Sequence, residues 1–311
     1  MAITNLHTTD GVIFDSTLIP ILSLPRVDPG LDLRAERPAG QVYRRFGTIV
    51  GARPSIEFST QALSILSVAG VLGKDIGDLT AGFLMFAKAW AAAGTFQGAS
   101  SHRKFAVTEG MIAPMRVSVD GSGDAVLSYG VYPMPDGAND PIIITDGQSL
   151  SGTFADTERY AIGPVEVAGV TIDQIQSINI EFGLSIVREA SDAEINPSFI
   201  YVAAVEPSIR IVTTDLLAVE NTGASPAAID MAGESATHAN TILYLRKRTQ
   251  PTGFVADGTA QHVKFTGMGV ATWREVFGGG DGNRGAAELT IQCHYDGTNA
   301  PLTVTTGSAI S

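Results

Sequence analysis

The chain carries one sequence pattern twice, about 155 residues apart. Residues Gly98–Gly147 and Gly258–Gly307 share ten identical residues without a gap, where residue usage alone would give roughly three. The strongest match is the turn D-G-x-N-x-P, which begins at Asp136 and again at Asp296. Solenoid and propeller repeats run only about 20 to 50 residues, so each copy of this longer repeat is expected to have its own core.

Two blocks upstream match in the same order. Pro54–Thr60 corresponds to Pro207–Thr213 at an offset of 153, and Gly11–Asp15 corresponds to Gly169–Asp173 at an offset of 158. Loops of different length between the blocks would produce such a drift in the offset. The sequence therefore predicts a fused duplication of one domain.

Length and composition fit two domains, residues 1–150 and residues 151–311. The chain has 311 residues, of which 44% are hydrophobic, enough to fill two cores of ordinary size. Short alternating runs between Gly- and Asp-containing turns predict a mainly β fold, in which each domain is an antiparallel β-sandwich with one short flanking α-helix. The helices are predicted at Leu63–Val68, capped by Ser59 or Thr60, and at Leu216–Val219.

The charge and the cysteine content limit the class of protein. Charged residues make up only 17% of the chain, which favours a subunit that buries much of its outer surface against other subunits. The net charge of −12 argues against a basic nucleic-acid-binding patch. A single cysteine, Cys293, allows no intrachain disulfide. Met1–Gly11 lacks the features of a signal peptide, and charges interrupt the apolar stretch Gln61–Ala93, so we expect a soluble protein made in the cytoplasm.

No catalytic, metal-binding or cofactor-binding site is predicted. His102 and His262 are equivalent in the repeat, and each is expected on the polar face of a strand without a second ligand nearby. Gly278–Gly285 is rich in glycine but lacks the Lys-Ser/Thr ending of a phosphate loop, which predicts a hairpin tip. Arg246 and Arg248 share one face of a strand, where they could meet an acidic neighbouring subunit or protect a solvated strand edge.

Three stretches of the second half carry a family resemblance. Gly163–Val170, Ile178–Gly183 and Pro207–Asp215 together resemble the tail tube proteins, or major tail proteins, of long-tailed bacteriophages. The resemblance implies a β-sandwich with a flanking helix, six such domains in a ring, and rings stacked into a tube through which DNA leaves the capsid. It implies no catalytic residues. The tandem fusion departs from the common single-domain pattern and leaves the number of chains per ring open.

The function that follows from the resemblance is structural. Three chains would form a pseudo-hexameric ring of the virion tail, with other copies of this chain, a tape measure protein and tail terminator or distal tail proteins as partners. Double-stranded DNA would pass through the lumen without specific binding, and the channel wall is expected to carry a net negative charge. The alternatives are a capsid, decoration or receptor-binding virion protein.

Two polar segments, Pro25–Pro38 and Arg188–Pro197, are candidate contacts between rings. Both are expected at equivalent positions between the second and third strands of each copy, and Pro25–Pro38 could instead be a solvated loop. Basic side chains of the first segment could meet acidic side chains of the second in a neighbouring ring. The candidate residues are Arg26, Arg34, Arg37, Arg188, Glu189, Asp192 and Glu194.

Overall fold

The fold is almost entirely antiparallel β-sheet, as the sequence predicts. It is known from a computed structural model, which describes residues 7–22, 25–36, 39, 46–92, 95–96, 102–150, 152, 154, 158–191, 194–215, 234–249, 253–276 and 285–311. The strands of the first half are β1 (His7–Phe14), β2 (Thr17–Pro20), β3 (Arg26–Asp28), β4 (Leu31–Glu36), β5 (Phe46–Ala52), β6 (Ser55–Thr60), β7 (Lys74–Asp75), β8 (Phe83–Ala92), β9 (Thr95–Phe96), β10 (His102–Val107), β11 (Glu109–Asp120), β12 (Val126–Met134) and β13 (Ile143–Gln148). Those of the second half are β14 (Tyr160–Val167), β15 (Val170–Ile172), β16 (Ile175–Glu181), β17 (Leu184–Glu189), β18 (Phe199–Val205), β19 (Ser208–Thr213), β20 (Glu234–Thr249), β21 (Gly253–Phe254), β22 (His262–Val276), β23 (Ala286–Cys293) and β24 (Leu302–Ser308).

One large sheet runs through both halves of the chain. Its strand order is β15-β14-β20-β22-β23-β19-β16-β11-β12-β6-β3, with β21, β24 and β7 paired at its sides. A second sheet, β13-β10-β8-β1-β2 with β9, belongs to the first half alone. Two long hairpins complete the described fold: the first hairpin, β4-β5, and the second hairpin, β17-β18.

The first six strands have counterparts 153 residues later. Gly30 and Gly183 both adopt positive φ, at 56° and 62°. In both halves the carbonyl of this glycine accepts a backbone hydrogen bond, from Arg53 at 2.8 Å and from Glu206 at 3.0 Å. The two hairpins also share their register, including a bulge at the same place.

The sequence alignment at Gly11–Asp15 was wrong. The hairpin β1-β2 turns at Asp15 and Ser16, and the hairpin β14-β15 turns at Ala168 and Gly169, all four residues with positive φ. The offset is therefore 153 here as well, and not 158. Chance identities around Gly169 misled the alignment, because backbone geometry at this turn does not require the same residue types in both halves.

The later strands correspond at offsets of 158 to 160. The D-G-x-N-x-P turn repeats in detail: Asp136 and Asp296 each accept hydrogen bonds from the backbone two and three residues later and from an asparagine side chain. Gly137 and Gly297 follow at φ values of 83° and 94°. These local interactions explain why this turn is the best-matched part of the repeat.

The buried side chains form one connected cluster that includes residues of both halves. Leu63 and Leu66 enter it from a short helical segment, the 3₁₀ turn Leu63–Ile65 followed by α1 (Leu66–Ala69), which ends at Gly70 with φ of 63°. The prediction of Ser59 or Thr60 as N-cap was wrong: the N-cap is Ala62, which has no side-chain cap, and Thr60 Oγ1 instead accepts the Ala62 amide at 3.1 Å in the turn before the helix. The helix predicted at 216–219 lies outside the described residues.

Candidate assembly interface

The two halves meet edge to edge, at a contact that we call the internal junction. There β16 of the second half pairs with β11 of the first half in an antiparallel register that runs from Arg116↔Glu181 to Asp120↔Ser177. The large sheet thus contains eight consecutive strands, four from each half. Their order is β3, β6, β12 and β11 of the first half, followed by β16, β19, β23 and β22 of the second. A charged pair, Arg116 and Glu181 at 3.9 Å, crosses the junction.

Further contacts fix the halves beside the internal junction. The Ala125 amide donates to Tyr160 O at 2.7 Å. Arg248 forms an ion pair with Asp124 at 2.7 Å and donates to Ser122 O at 3.0 Å. Since each of these bonds joins residues from different halves, the relative position of the halves depends on several independent interactions.

A bulge makes the internal junction tighter at one end. Met115 is the extra residue between Pro114 and Arg116 in the pairing of β11 with β12. Its carbonyl accepts the amide of Phe182 at 3.1 Å. The equivalent part of β22 pairs with β23 without a bulge, and the equivalent of Phe182, at the offset of 153, is Pro29, which has no amide hydrogen. The donor is therefore missing at Pro29 of the first half, and the bulged acceptor is missing from β22 of the second half.

The outer edge of β3 is one end of the eight-stranded sheet. Among the described residues, β6 is the one strand that pairs with β3. Leu22 N and Gly30 O form hydrogen bonds on the side of β6. Because the backbone groups of successive residues point to opposite sides of a strand, the odd-numbered Val27 directs its amide and carbonyl outward. Pro25 and Pro29 occupy the neighbouring outward positions, which is where an edge strand tolerates proline.

The outer edge of β22, at Thr272–Val276, ends the run of eight strands, while the earlier part of β22 pairs with β20 and continues the large sheet. This stretch pairs with β23 on one side, and in the described part of the chain no strand pairs with its other side. Met268 O accepts the His294 amide at 2.9 Å, so even-numbered residues of β22 face β23. Trp273 and Glu275 consequently direct their backbone groups to the side away from β23, and both residues also have a further interaction within the chain.

The two outer edges are counterparts of the two strands that meet at the internal junction. In the strand register, Arg274 lies opposite Glu288 and Arg116 lies opposite Ser128. Because Glu288 and Ser128 are counterparts, Arg274 is the counterpart of Arg116. Asp28 is the counterpart of Glu181 at the offset of 153. The Arg–acid pair of the internal junction thus has an equivalent arginine on one outer edge and an equivalent carboxylate on the other.

The face of the eight-stranded sheet that points away from the core is polar, and its charges are paired. Arg26 lies 2.7 Å from Asp28, Arg274 lies 3.0 Å from Glu288, and Arg210 also bonds Glu288. Burial alone would raise the pKa of Glu288, but hydrogen bonds from Arg274 and Arg210 outweigh it and hold the pKa below its usual range. The charged residues described on this face are Arg26, Arg116, Arg210 and Arg274 against Asp28, Glu57, Asp120, Glu181 and Glu288.

The second hairpin lies across the first half of the same chain. Ile195 O accepts the Ala52 amide at 2.8 Å. Arg188 donates to Pro54 O at 2.8 Å, and its guanidinium lies 5.2 Å from the centre of the Tyr132 ring. Hydrogen bonding and a cation–π contact thus attach this hairpin to the neighbouring half.

The predicted contact segments lie in these hairpins but are not equivalent to each other. Pro25–Pro38 contains β3 and β4, whereas Arg188–Pro197 contains the end of β17 and the approach to β18. Their spacing in the sequence could not show that the two segments are not equivalent, because spacing carries no information on the hairpin register. Glu189 accepts the Tyr201 hydroxyl and Glu194 accepts the Ser198 hydroxyl, at 2.9 and 2.7 Å. Arg34 is exposed on β4; Arg37 and Asp192 lie outside the described residues, and their predicted contact between rings stays a prediction.

The placement of the two histidines on a polar face was wrong. His102 is 3% exposed and His262 is fully buried. His262 accepts the Lys247 amide at Nδ1, 3.1 Å away, and its Nε2 lies 3.2 Å from Ala256 O. The bonds of the ring to backbone groups account for its burial. The described residues contain no cluster of three or more His, Cys, Asp or Glu that could hold a metal ion.

The basic strand at the end of β20 has acidic partners within its own chain. Arg246 forms an ion pair with Asp257 at 2.6 Å, and Arg248 pairs with Asp124. Both guanidinium groups also lie over the Phe254 ring, at 5.0 and 5.5 Å. The glycine-rich stretch between β22 and β23 joins antiparallel neighbours, as predicted, while residues 277–284 themselves lie outside the described part.

Among the described residues, no helix is long and apolar enough to cross a bilayer. Comparison with protein-family models gives no match, and comparison with curated proteins gives no significant relative.

Proposed function

We propose that this chain is a tail tube subunit of a long-tailed bacteriophage. In this proposal, residues 1–150 and 151–311 are two tandem β-sandwich domains, each with a short flanking helix. Three chains close a pseudo-hexameric ring, and stacked rings form the channel for DNA ejection in the virion tail. The proposal rests on the resemblance of the second-half strands to this family together with the geometry of the sheet.

The observation that carries the proposal is the internal junction. One chain already joins two equivalent four-stranded units side by side, and its outer edges are counterparts of the two strands joined inside. A second copy placed against an outer edge by the same relation would bring β3, where Val27 directs its backbone groups outward, against β22. The same register would bring Asp28 opposite Arg274. Head-to-tail contacts of this kind form rings when the rotation closes.

The polar face of the sheet also supports a conduit. Its four described arginines all have a carboxylate within ion-pair distance, and Ser, Thr, Asn and Gln supply most of the other side chains. A wall with unpaired lysines and arginines would hold DNA through phosphate contacts. A wall with balanced charge would let it pass. The low content of charged residues fits a subunit that buries its outer surface in an assembly.

Electron cryomicroscopy of the purified chain tests the proposal. We expect rings or tubes with true threefold and approximate sixfold symmetry, with eight consecutive strands contributed by each chain. Monomers that remain dispersed at all concentrations, closed shells, or rings with six chains would each contradict it.

A further inference from the structure

The first hairpin exposes apolar side chains whose counterparts on the second hairpin are partly covered. Leu31, Leu33 and Ile49 are 48%, 72% and 41% exposed. Their counterparts at the offset of 153 are Leu184, Ile186 and Val202, all half-buried. The second hairpin lies across the first half, and Val202 shares a cavity there with Met111 and Met134. The difference in exposure therefore reflects a neighbouring half that only the second hairpin has within the chain.

The second half presents an apolar pocket at the counterpart of the surface that the second hairpin contacts. The pocket encloses about 480 Å³ beside the second D-G-x-N-x-P turn and is lined by Leu72, Phe182, Val205, Pro207, Ala300 and Leu302, among others. Val205 and Pro207 are the counterparts of Ala52 and Pro54, whose backbone groups bond the second hairpin in the first half. The first turn, at residues 137–140, likewise lines a cavity together with Glu194–Asn196 of the second hairpin.

We propose that this pocket receives the first hairpin of a second copy of the chain. The inference builds on the proposed ring and names a contact that edge pairing alone does not require. The relation that places the second hairpin on the first half would place the first hairpin of the next chain on the second half. Burying Leu31, Leu33 and Ile49 against the pocket would remove apolar surface from water on both partners.

A specific pair of positions tests this contact. Arg188 on the second hairpin lies over Tyr132, and the counterparts of these residues are Ala35 and Gln292, both exposed. The double variant Ala35→Cys/Gln292→Cys, assembled and treated with a short bis-maleimide, should give a ladder of covalent dimers and trimers, because three chains close the proposed ring. Either single variant should give no ladder. Arg188→Cys/Tyr132→Cys is the matched control, which should cross-link within one chain and stay at monomer mass.

The outcomes separate this inference from the proposed function. Rings that form normally but yield no ladder from the double variant would overturn the hairpin contact and leave the ring intact. A chain that never assembles would contradict the proposed function itself. A second measurement uses Leu33→Asp, whose melting temperature should match that of the wild type because the side chain is exposed. Its assembly should be at least tenfold weaker, with Leu33→Val close to the wild type; unimpaired assembly of Leu33→Asp would also overturn the hairpin contact.

Discussion

Replacing Val27 by proline should block assembly while leaving the chain folded. The Val27 amide points away from β6, so proline there removes no hydrogen bond between β3 and β6. In the proposed contact, the amide and the carbonyl of Val27 bond to a strand of the neighbouring chain. Proline removes the amide donor, and its ring obstructs the approach of that strand to the remaining carbonyl.

The expected effect follows from the two hydrogen bonds lost at each contact between chains. A net contribution of about 1 kcal/mol per bond gives a loss of about 2 kcal/mol for each chain added. Because about 1.4 kcal/mol corresponds to a factor of ten, the critical concentration for assembly should rise roughly 30-fold. The unfolding free energy of the monomer should fall by about 1–2 kcal/mol in both Val27→Pro and Val27→Ala, because each removes part of the same half-buried side chain.

Sedimentation across a concentration series gives the critical concentration, and thermal denaturation followed by circular dichroism gives the stability. Val27→Ala is the matched control because it shortens the same side chain and keeps the amide, so it should assemble within about twofold of the wild type. A Val27→Pro protein with wild-type critical concentration would show that this edge does not join chains. A proline variant that fails to fold would show that the amide is needed within the sheet.

Three further expectations concern the register, the turns and the thiol. Asp28→Arg and Arg274→Asp should each weaken assembly about three- to tenfold, and the double variant should restore it, when assembly is measured by sedimentation at low salt. A double variant that assembles worse than either single variant would exclude this register. Gly183→Ala places a Cβ against the backbone oxygen of Glu206 and should cost more than about 3 kcal/mol in chemical denaturation. Gly297→Ala has open space around the new Cβ and should cost about 1–2 kcal/mol; equal losses would contradict the steric explanation. Burial raises the pKa of Cys293 to about 12, so the native thiol should stay unmodified by iodoacetamide at pH 8 and react on unfolding; rapid labelling of the native protein would refute this.

Local chemistry could be predicted from the sequence where it acts over a few residues. The Asp136 turn and its counterpart Asp296 were recognised because the same short pattern produces the same hydrogen bonds in both. The alternation of Leu127, Tyr129 and Val131 predicted a strand with one buried face, and all three are buried. In each case the residues that determine the structure are neighbours in the chain.

Long-range pairing could not be predicted in the same way. Nothing in β16 or β11 indicates that the two strands meet, because the internal junction depends on backbone groups that every residue carries. The offset at the β1-β2 hairpin was missed because its turn depends on backbone conformation: Asp15 and its counterpart Ala168 both adopt positive φ with different side chains. The burial of His262 was missed because its partners, Lys247 and Ala256, are backbone groups brought close by the fold.

The bulge at Met115 gives the proposed ring an unequal resistance to outward pressure. Each internal junction has the additional bond from the Phe182 amide, and each contact between chains lacks it, because Pro29 offers no hydrogen and β22 has no bulged carbonyl. The internal contact is also a covalent fusion, held by Arg248 on Asp124 as well. A tube of such rings under load would therefore split along three of its six longitudinal contacts, each a boundary between chains, and release intact two-domain subunits.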